Sequence, residues 1–243
     1  MDSETGYEYK YCFVANDFSA DGRVKPYVYQ NIIQNVAERH LLTLGLETER
    51  LAEKNLAFVL VGMTVEILGS PRVSDIITGR TWHSETKGPY FRRDFSFCFG
   101  GGRRVFSGAC FSVMLDLSKR TIVHHFELPD GIGSGTGEFA VENAVPGIKD
   151  ISGYTSCGER RVYRSCLDAL GHVNNTRYCE FAYDALDAAE ASRFIRRIRI
   201  SFSGELTGND SVEIFKAQTP GMTYFRGIRS SDAKKSFAAV FKY

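Results

Sequence analysis

The chain has 243 residues, 43% hydrophobic and 13% aromatic, with a formal net charge of +1 at pH 7. That length holds one large domain or two small ones around a sizeable core, and the near-zero charge supplies no global field to draw in nucleic acid. Six cysteines, at 12, 98, 110, 157, 166 and 179, include no Cys-x-x-Cys pair and suit reduced thiols buried as small hydrophobes in a cytosol.

Taken in order, the chain opens on Met1-Asp2-Ser3-Glu4-Thr5, polar and acidic, unlike a signal or transit peptide. No apolar run is long enough to span a bilayer, and a cytoplasmic location is expected. Residues 9–14 read as a strand, Asp21-Gly22 as a turn, and Pro26 as a helix start. Val28, Ile32, Ile33, Val36, Ala37, Leu41 and Leu44 then fall at helical spacing until Gly45 stops the run. Strands are predicted at 57–68, 76–86, 91–99, 105–117 and 121–126. Gly100-Gly101-Gly102 lies between two of them as a hairpin turn, with no Gly-Lys-Ser/Thr to make it a phosphate loop. Residues 129–152, rich in Pro, Gly and Ser, read as a linker. A strand at 159–164 follows, then a helix over 175–188 capped by Asn175, then strands at 194–203, 211–217, 222–229 and 236–242.

The second half thus repeats the first. Gly22 overlays Gly171, Val24 Val173, Tyr29 Tyr178 and Ile32 Phe181, all at one offset (171 − 22 = 149). Further on, Val65 overlays Ile200 and Asp75 overlays Asp210, at another (210 − 75 = 135). The fold expected is α+β, two modules each made of a long helix wrapped by an antiparallel sheet, joined edge to edge so that open strand edges are hidden. The modules are assigned to 1–130 and 153–243, with 131–152 between them.

The most informative stretch is Asp168-Ala169-Leu170-Gly171-His172-Val173-Asn174-Asn175, a carboxylate and an imidazole around a tight turn that runs into a helix. Backbone N–H groups at a helix start can polarise a carbonyl while a carboxylate or an imidazole activates water, which is the toolkit of acyl hydrolysis. Asp168 overlays Ser19, His172 overlays Arg23, Asn174 and Asn175 overlay Lys25 and Pro26, and Glu205 overlays Ser70. A group present in one copy only points to a site, because a folding requirement of the module would recur in both. Each residue alone has a plainer reading: Asp168 as a turn carboxylate, His172 as a structural hydrogen-bonder, Asn175 as a helix cap, Glu205 as an exposed turn residue. His124 and His125 are neighbours on a strand and point apart, His40 and His83 lack ligand-spaced partners, and no metal or cofactor is expected.

The chain resembles the acyl-ACP thioesterases, enzymes with a tandem double hotdog fold, over nearly its whole length. The likeness rests on 30–40, Leu44-Gly45-Leu46, Val65-Glu66-Ile67 with Pro71, Thr81-Trp82 and Phe91-Arg92-Arg93-Asp94-Phe95 in the first half. In the second half it rests on Asp168, Gly171-His172-Val173-Asn174-Asn175 and Tyr178. The resemblance implies hydrolysis of the fatty acyl thioester on acyl carrier protein, with release of free fatty acid. It also implies Asp168, His172 and Glu205 as the catalytic set, the first module's Phe and Leu residues lining the acyl pocket, and a cytosolic, bacterial-type member; Asn174 or Asn175, at the helix start, is read as supplying an amide that positions substrate. Two positions depart from the plant pattern: Leu170 stands for an Asn and Leu206 for a Cys. A basic cluster including Arg196 and Arg197 reads either as a solvated strand face or as a contact for the acidic carrier protein. An acyl-CoA thioesterase and an inactive acyl-binding protein are the competing readings, and a homodimer is left open.

Overall fold

The computed structural model describes residues 7–124 and 135–243. Eleven strands form one antiparallel sheet: β1 (Tyr7–Cys12), β2 (Leu56–Ile67), β3 (Ile76–Lys87), β4 (Tyr90–Phe99), β5 (Arg104–Asp116), β6 (Thr121–Ile122), β7 (Thr155–Arg161), β8 (Arg197–Phe202), β9 (Ser211–Thr219), β10 (Met222–Arg229) and β11 (Lys235–Lys242). Their spatial order is β1-β3-β4-β5-β2-β8-β11-β10-β9-β7, with β6 on β5. Two longer helices, α1 (Pro26–Thr43) and α3 (Asn175–Asp184), pack against each other and lie in the curve of the sheet, and two short ones, α2 (Thr48–Glu53) and α4 (Ala188–Ala191), follow them.

The apolar stripe of α1 buries Val28, Tyr29, Ile32, Ile33 and Val36, and that of α3 buries Tyr178, Cys179, Phe181 and Ala182. Both face one continuous core that includes Phe95, Phe97 and Phe106 from the first half and Phe225, Phe237 and Phe241 from the second. The equivalent tyrosines sit edge-on to equivalent phenylalanines, Tyr29 against Phe106 at 4.9 Å and Tyr178 against Phe237 at 5.3 Å. Such aromatic pairs add about 0.5–1.5 kcal/mol beyond area burial.

The halves join where β2 meets β8, from Gly62 opposite Ser201 to Glu66 opposite Arg197. An Arg197–Glu66 ion pair of 2.9 Å ties the last rung. Over the outer face runs the connecting segment. Its anchor is Asp94, fully buried, whose carboxylate accepts hydrogen bonds from Arg92 Nε at 2.7 Å, Ser84 Oγ at 2.5 Å, and the Ala140 and Val141 amides at 2.9 and 3.3 Å. Trp82 Nε1 donates to Glu138 O at 2.8 Å, and Arg80 pairs with the Glu138 carboxylate. The described part of the predicted linker is therefore an ordered strap; 131–134 lies outside the described residues.

Several boundaries differ from the sequence reading. The first strand begins and ends two residues earlier than 9–14, β7 begins four residues before 159, and α3 stops at Asp184 rather than 188. The α3 cap is Asn174, whose Oδ1 accepts from the Thr176 amide, so Asn175 is the first helical residue. The predicted strand at 121–126 is seen at 121–122, and its end, with His125, lies outside the described residues. All six cysteines are free thiols.

Beneath the second half of α1, Arg93 Nη1 donates to His40 Nδ1 at 2.6 Å. Burial first, and the Arg93 cation second, push His40 down to about 4, and His83 is lowered to about 4 by the same two causes in the same order. Unfolded imidazoles take up a proton near 6.5 while these resist until about 4. The unfolded chain therefore binds more protons in that window, and stability falls as pH drops through it. Melting temperatures of wild type and His40→Gln, measured from pH 7 to 4, should fall less steeply in the variant; parallel curves would refute the assignment.

At the seam, a Cβ on Gly62 would stand 2.3 Å from the Pro146 carbonyl oxygen of the strap. Gly62→Ala should cost about 1–3 kcal/mol through overpacking, read as a lower denaturation midpoint with an unchanged slope.

Candidate active site

Asp168 and His172 close a five-residue turn. The Asp168 amide donates to His172 O at 2.8 Å, the Gly171 amide donates to Asp168 O at 3.1 Å, and Gly171 takes φ +79°, a left-handed value that favours glycine. Asp168 Oδ1 accepts from the Leu170 and His172 amides at 2.9 and 3.1 Å. The carboxylate therefore grips the backbone of His172 and not its ring, and Oδ2 has no hydrogen-bond partner among the described residues. A bridge between His172 and Thr207, together with the Val173 amide donating to Leu206 O at 2.8 Å, draws the segment after β8 alongside. This brings Glu205 Oε2 to 3.7 Å from His172 Nε2, with both side chains partly exposed. That is ion-pair range when the ring is protonated, and longer than a hydrogen bond.

The start of α3 carries fewer free donors than a bare helix end. Asn174 Oδ1 takes the Thr176 amide and hydroxyl at 3.0 and 2.8 Å, and the Arg177 amide donates to Asn174 O at 2.9 Å. Among the described residues the Asn175 amide is left without a partner, as is the Asn175 side chain. Gln30, almost fully buried on α1, donates through Nε2 to Asn175 O at 3.1 Å and keeps a buried, unpaired Oε1.

A groove of about 350 Å³ lies beside this turn, lined by Asn31, Gln34 and Asn35 of α1 and by Cys166, Leu167, Asn174 and Thr176 among others. Asp168, His172 and Glu205 do not line it; the turn is flanked by two residues that do, Leu167 and Asn174. The polar α1 residues were absent from the candidates read from sequence as site residues. Their one signal was polarity at 31, 34 and 35, beside the buried stripe of α1. Leu170 is 65% exposed and Leu206 fully buried, and neither side chain carries a polar atom.

The first module builds the same turn with other chemistry. The Ser19 amide donates to Arg23 O at 2.8 Å, the Gly22 amide to Ser19 O at 2.9 Å, and the Lys25 amide to Asp17 O at 2.9 Å, matching Asn174 to Cys166 O at 2.9 Å. Arg23 pairs with Asp21 at 2.7 Å and donates to Ser192 O at 2.5 Å, and the cavity there is only about 60 Å³. Of the two arginines read as a carrier contact, Arg197 is engaged by Glu66 and by Glu142 O at 2.9 Å, whereas Arg196 is exposed beside the Phe194 ring. Among the described residues no three His, Cys, Asp or Glu side chains gather as metal ligands would.

The fold is a double hotdog whose second module carries an Asp168–His172 turn. Residues 4–127 match the family model of the acyl-ACP thioesterase N-terminal domain, and 154–239 match that of the C-terminal domain. The chain belongs to the acyl-ACP thioesterase family. Its fold is similar to that of an acyl-ACP thioesterase from Bacteroides thetaiotaomicron, at 20% identity and TM-score 0.87 over 97% of this chain and 96% of that one. It is also similar to that of the 12:0-ACP thioesterase from Umbellularia californica, at 16% identity and TM-score 0.82 over 97% and 96%. No curated protein sequence matches the chain. Its activity is that of the family, hydrolysis of the fatty acyl thioester on acyl carrier protein.

Asn174→Ala should remove the cap and cost about 0.5–2 kcal/mol, seen as a lowered unfolding midpoint. Asn175→Ala should leave that midpoint near wild type; equal losses would assign the cap wrongly.

Proposed function

We propose that hydrolysis occurs at the 168–172 turn, with Asp168 as general base toward water. Asp168 takes a proton from water as the water oxygen bonds to the thioester carbon, the adduct collapses with loss of the C–S bond, His172 gives a proton to the departing sulfur, and exchange with solvent removes the proton from Asp168 and reloads His172. Glu205, with Oε2 3.7 Å from His172 Nε2, orients the ring. The unpaired Asn175 amide and the Asn174 and Asn175 side chains serve the developing oxyanion, each donor of this kind being worth about 10²–10³ in rate. The acyl chain lies in the first module, and the groove bordered by Asn31, Gln34 and Asn35 admits the polar arm of the substrate. Arg196, exposed, is the carrier-protein contact of the pair.

One observation carries this reading. Both modules fold the turn with the same backbone hydrogen bonds, yet only the second has a carboxylate at its first position and an imidazole at its fifth. This difference supports a chemical role for the pair.

Asp168→Asn keeps an acceptor for the Leu170 and His172 amides while removing the base. Turnover on acyl carrier protein substrates should fall about 10²–10⁴-fold with the melting temperature held. Full activity in that variant would end the proposal, and a panel of acyl-ACP and acyl-CoA substrates separates the carrier preference.

A further inference from the structure

A second cavity lies away from the turn, on the outer face of the sheet. It measures about 690 Å³, within the roughly 300–1,000 Å³ of small-molecule sites. Its floor is two cross-strand rows, Arg197–Lys242–Met222 and Arg199–Val240–Tyr224, on β8, β11 and β10. Its wall is the strap, through Val145, Ile148, Lys149 and Ile151. The intervening β8 residues Ile198 and Ile200 point the other way, into the core, so the sheet separates this groove from the helices.

Two features set it apart from an ordinary basic strand face. Arg197 and Arg199 share one face, and only Arg197 has a carboxylate, Glu66. Among the described residues the Arg199 side chain has as its one hydrogen-bond partner the Gly147 carbonyl, at 2.5 Å, and Arg197 Nε is buried with no partner. Burial and the neighbouring Arg197 cation both push the Arg199 guanidinium down. Lys149 and Lys242 are exposed and form no ion pair among the described residues. No carboxylate lines the groove, while Val145, Ile148, Ile151, Met222 and Val240 do. Cations short of counter-charge beside an apolar channel fit a molecule with one anionic end and one aliphatic end.

We propose that this groove binds a free long-chain fatty carboxylate, its head against Arg199 and Lys242 and its chain along the strap residues Val145, Ile148 and Ile151. The proposal does not depend on which residues catalyse hydrolysis. The strap carries the pocket wall and also seats Pro146 on Gly62 at the seam, so occupancy of the groove fixes the strap in place.

The test is photolabelling of the full chain with a twelve-carbon carboxylate bearing a terminal diazirine, followed by peptide mapping. Label is expected on peptides containing 145–151 and 222–224, and competition by dodecanoate but not by dodecanol or dodecyltrimethylammonium. Arg199→Gln should cut that label at least tenfold. Because Arg199 also holds the strap, the double variant Lys149→Glu with Lys242→Glu provides a second reading and should do the same with an unchanged melting temperature. Label confined to peptides of α1, β4 or β5, or equal competition by the alcohol and the cation, would overturn the proposal. So would protection of the strap peptides by carrier protein alone with no binding of dodecanoate.

Discussion

The pairing of β2 with β8 is the constraint on which the rest of the molecule depends. It turns two half-sheets into one and removes two open edges that would otherwise template aggregation. It also fixes α1 beside α3, so a helix from the first half supplies Gln30, Asn31, Gln34 and Asn35 to the surroundings of a turn in the second. Neither half builds that groove alone. The buried Asp94 reinforces the seam from outside. A fully buried carboxylate is tolerable only when paired and hydrogen-bonded, and two of its donors are strap amides. The strap is thereby held where Pro146 crosses Gly62, a contact that leaves no room for a side chain on the strand.

The fold was legible where burial is one-sided. Core strands such as β3 and β10 alternate buried and exposed positions, and α1 is bounded by Pro26 and a left-handed Gly45. It was less legible where burial has no period. β7 is exposed at every position, so alternation placed it four residues late. The second helix was read too long because its apolar spacing continues past Asp184. A reciprocal cap between Asp187 and Glu190 instead starts a separate turn of helix, and Glu190 turns inward to Lys216, Gln218 and Thr223.

The site was legible to the extent that it is local. A carboxylate, a glycine and an imidazole within five residues announce the turn, and Gly171 has the left-handed backbone the turn needs. What depends on distant segments was not visible. Glu205 could be placed only by resemblance, and the polar α1 residues come close only through the seam. Arg197 had a charge that read as available until Glu66, on a strand from the other half, was found opposite it.

The repeat provides an internal control for the role of Asp168. In the first module, Ser19 donates its hydroxyl to Arg23 O and its amide to the same oxygen, and the turn closes without a carboxylate at that position. The carboxylate of this turn is Asp21 instead, whose Oδ1 accepts from the Ser19 hydroxyl and the Arg23 amide. Arg23, in the imidazole's position, reaches across to Ser192 O and leaves a cavity too small for a substrate. The copy with Ser19 in the place of Asp168 has a cavity of about 60 Å³ beside its turn, and the copy with Asp168 a groove of about 350 Å³. The backbone of the turn thus forms with either residue at this position, so its hydrogen bonds alone do not dictate a carboxylate at 168.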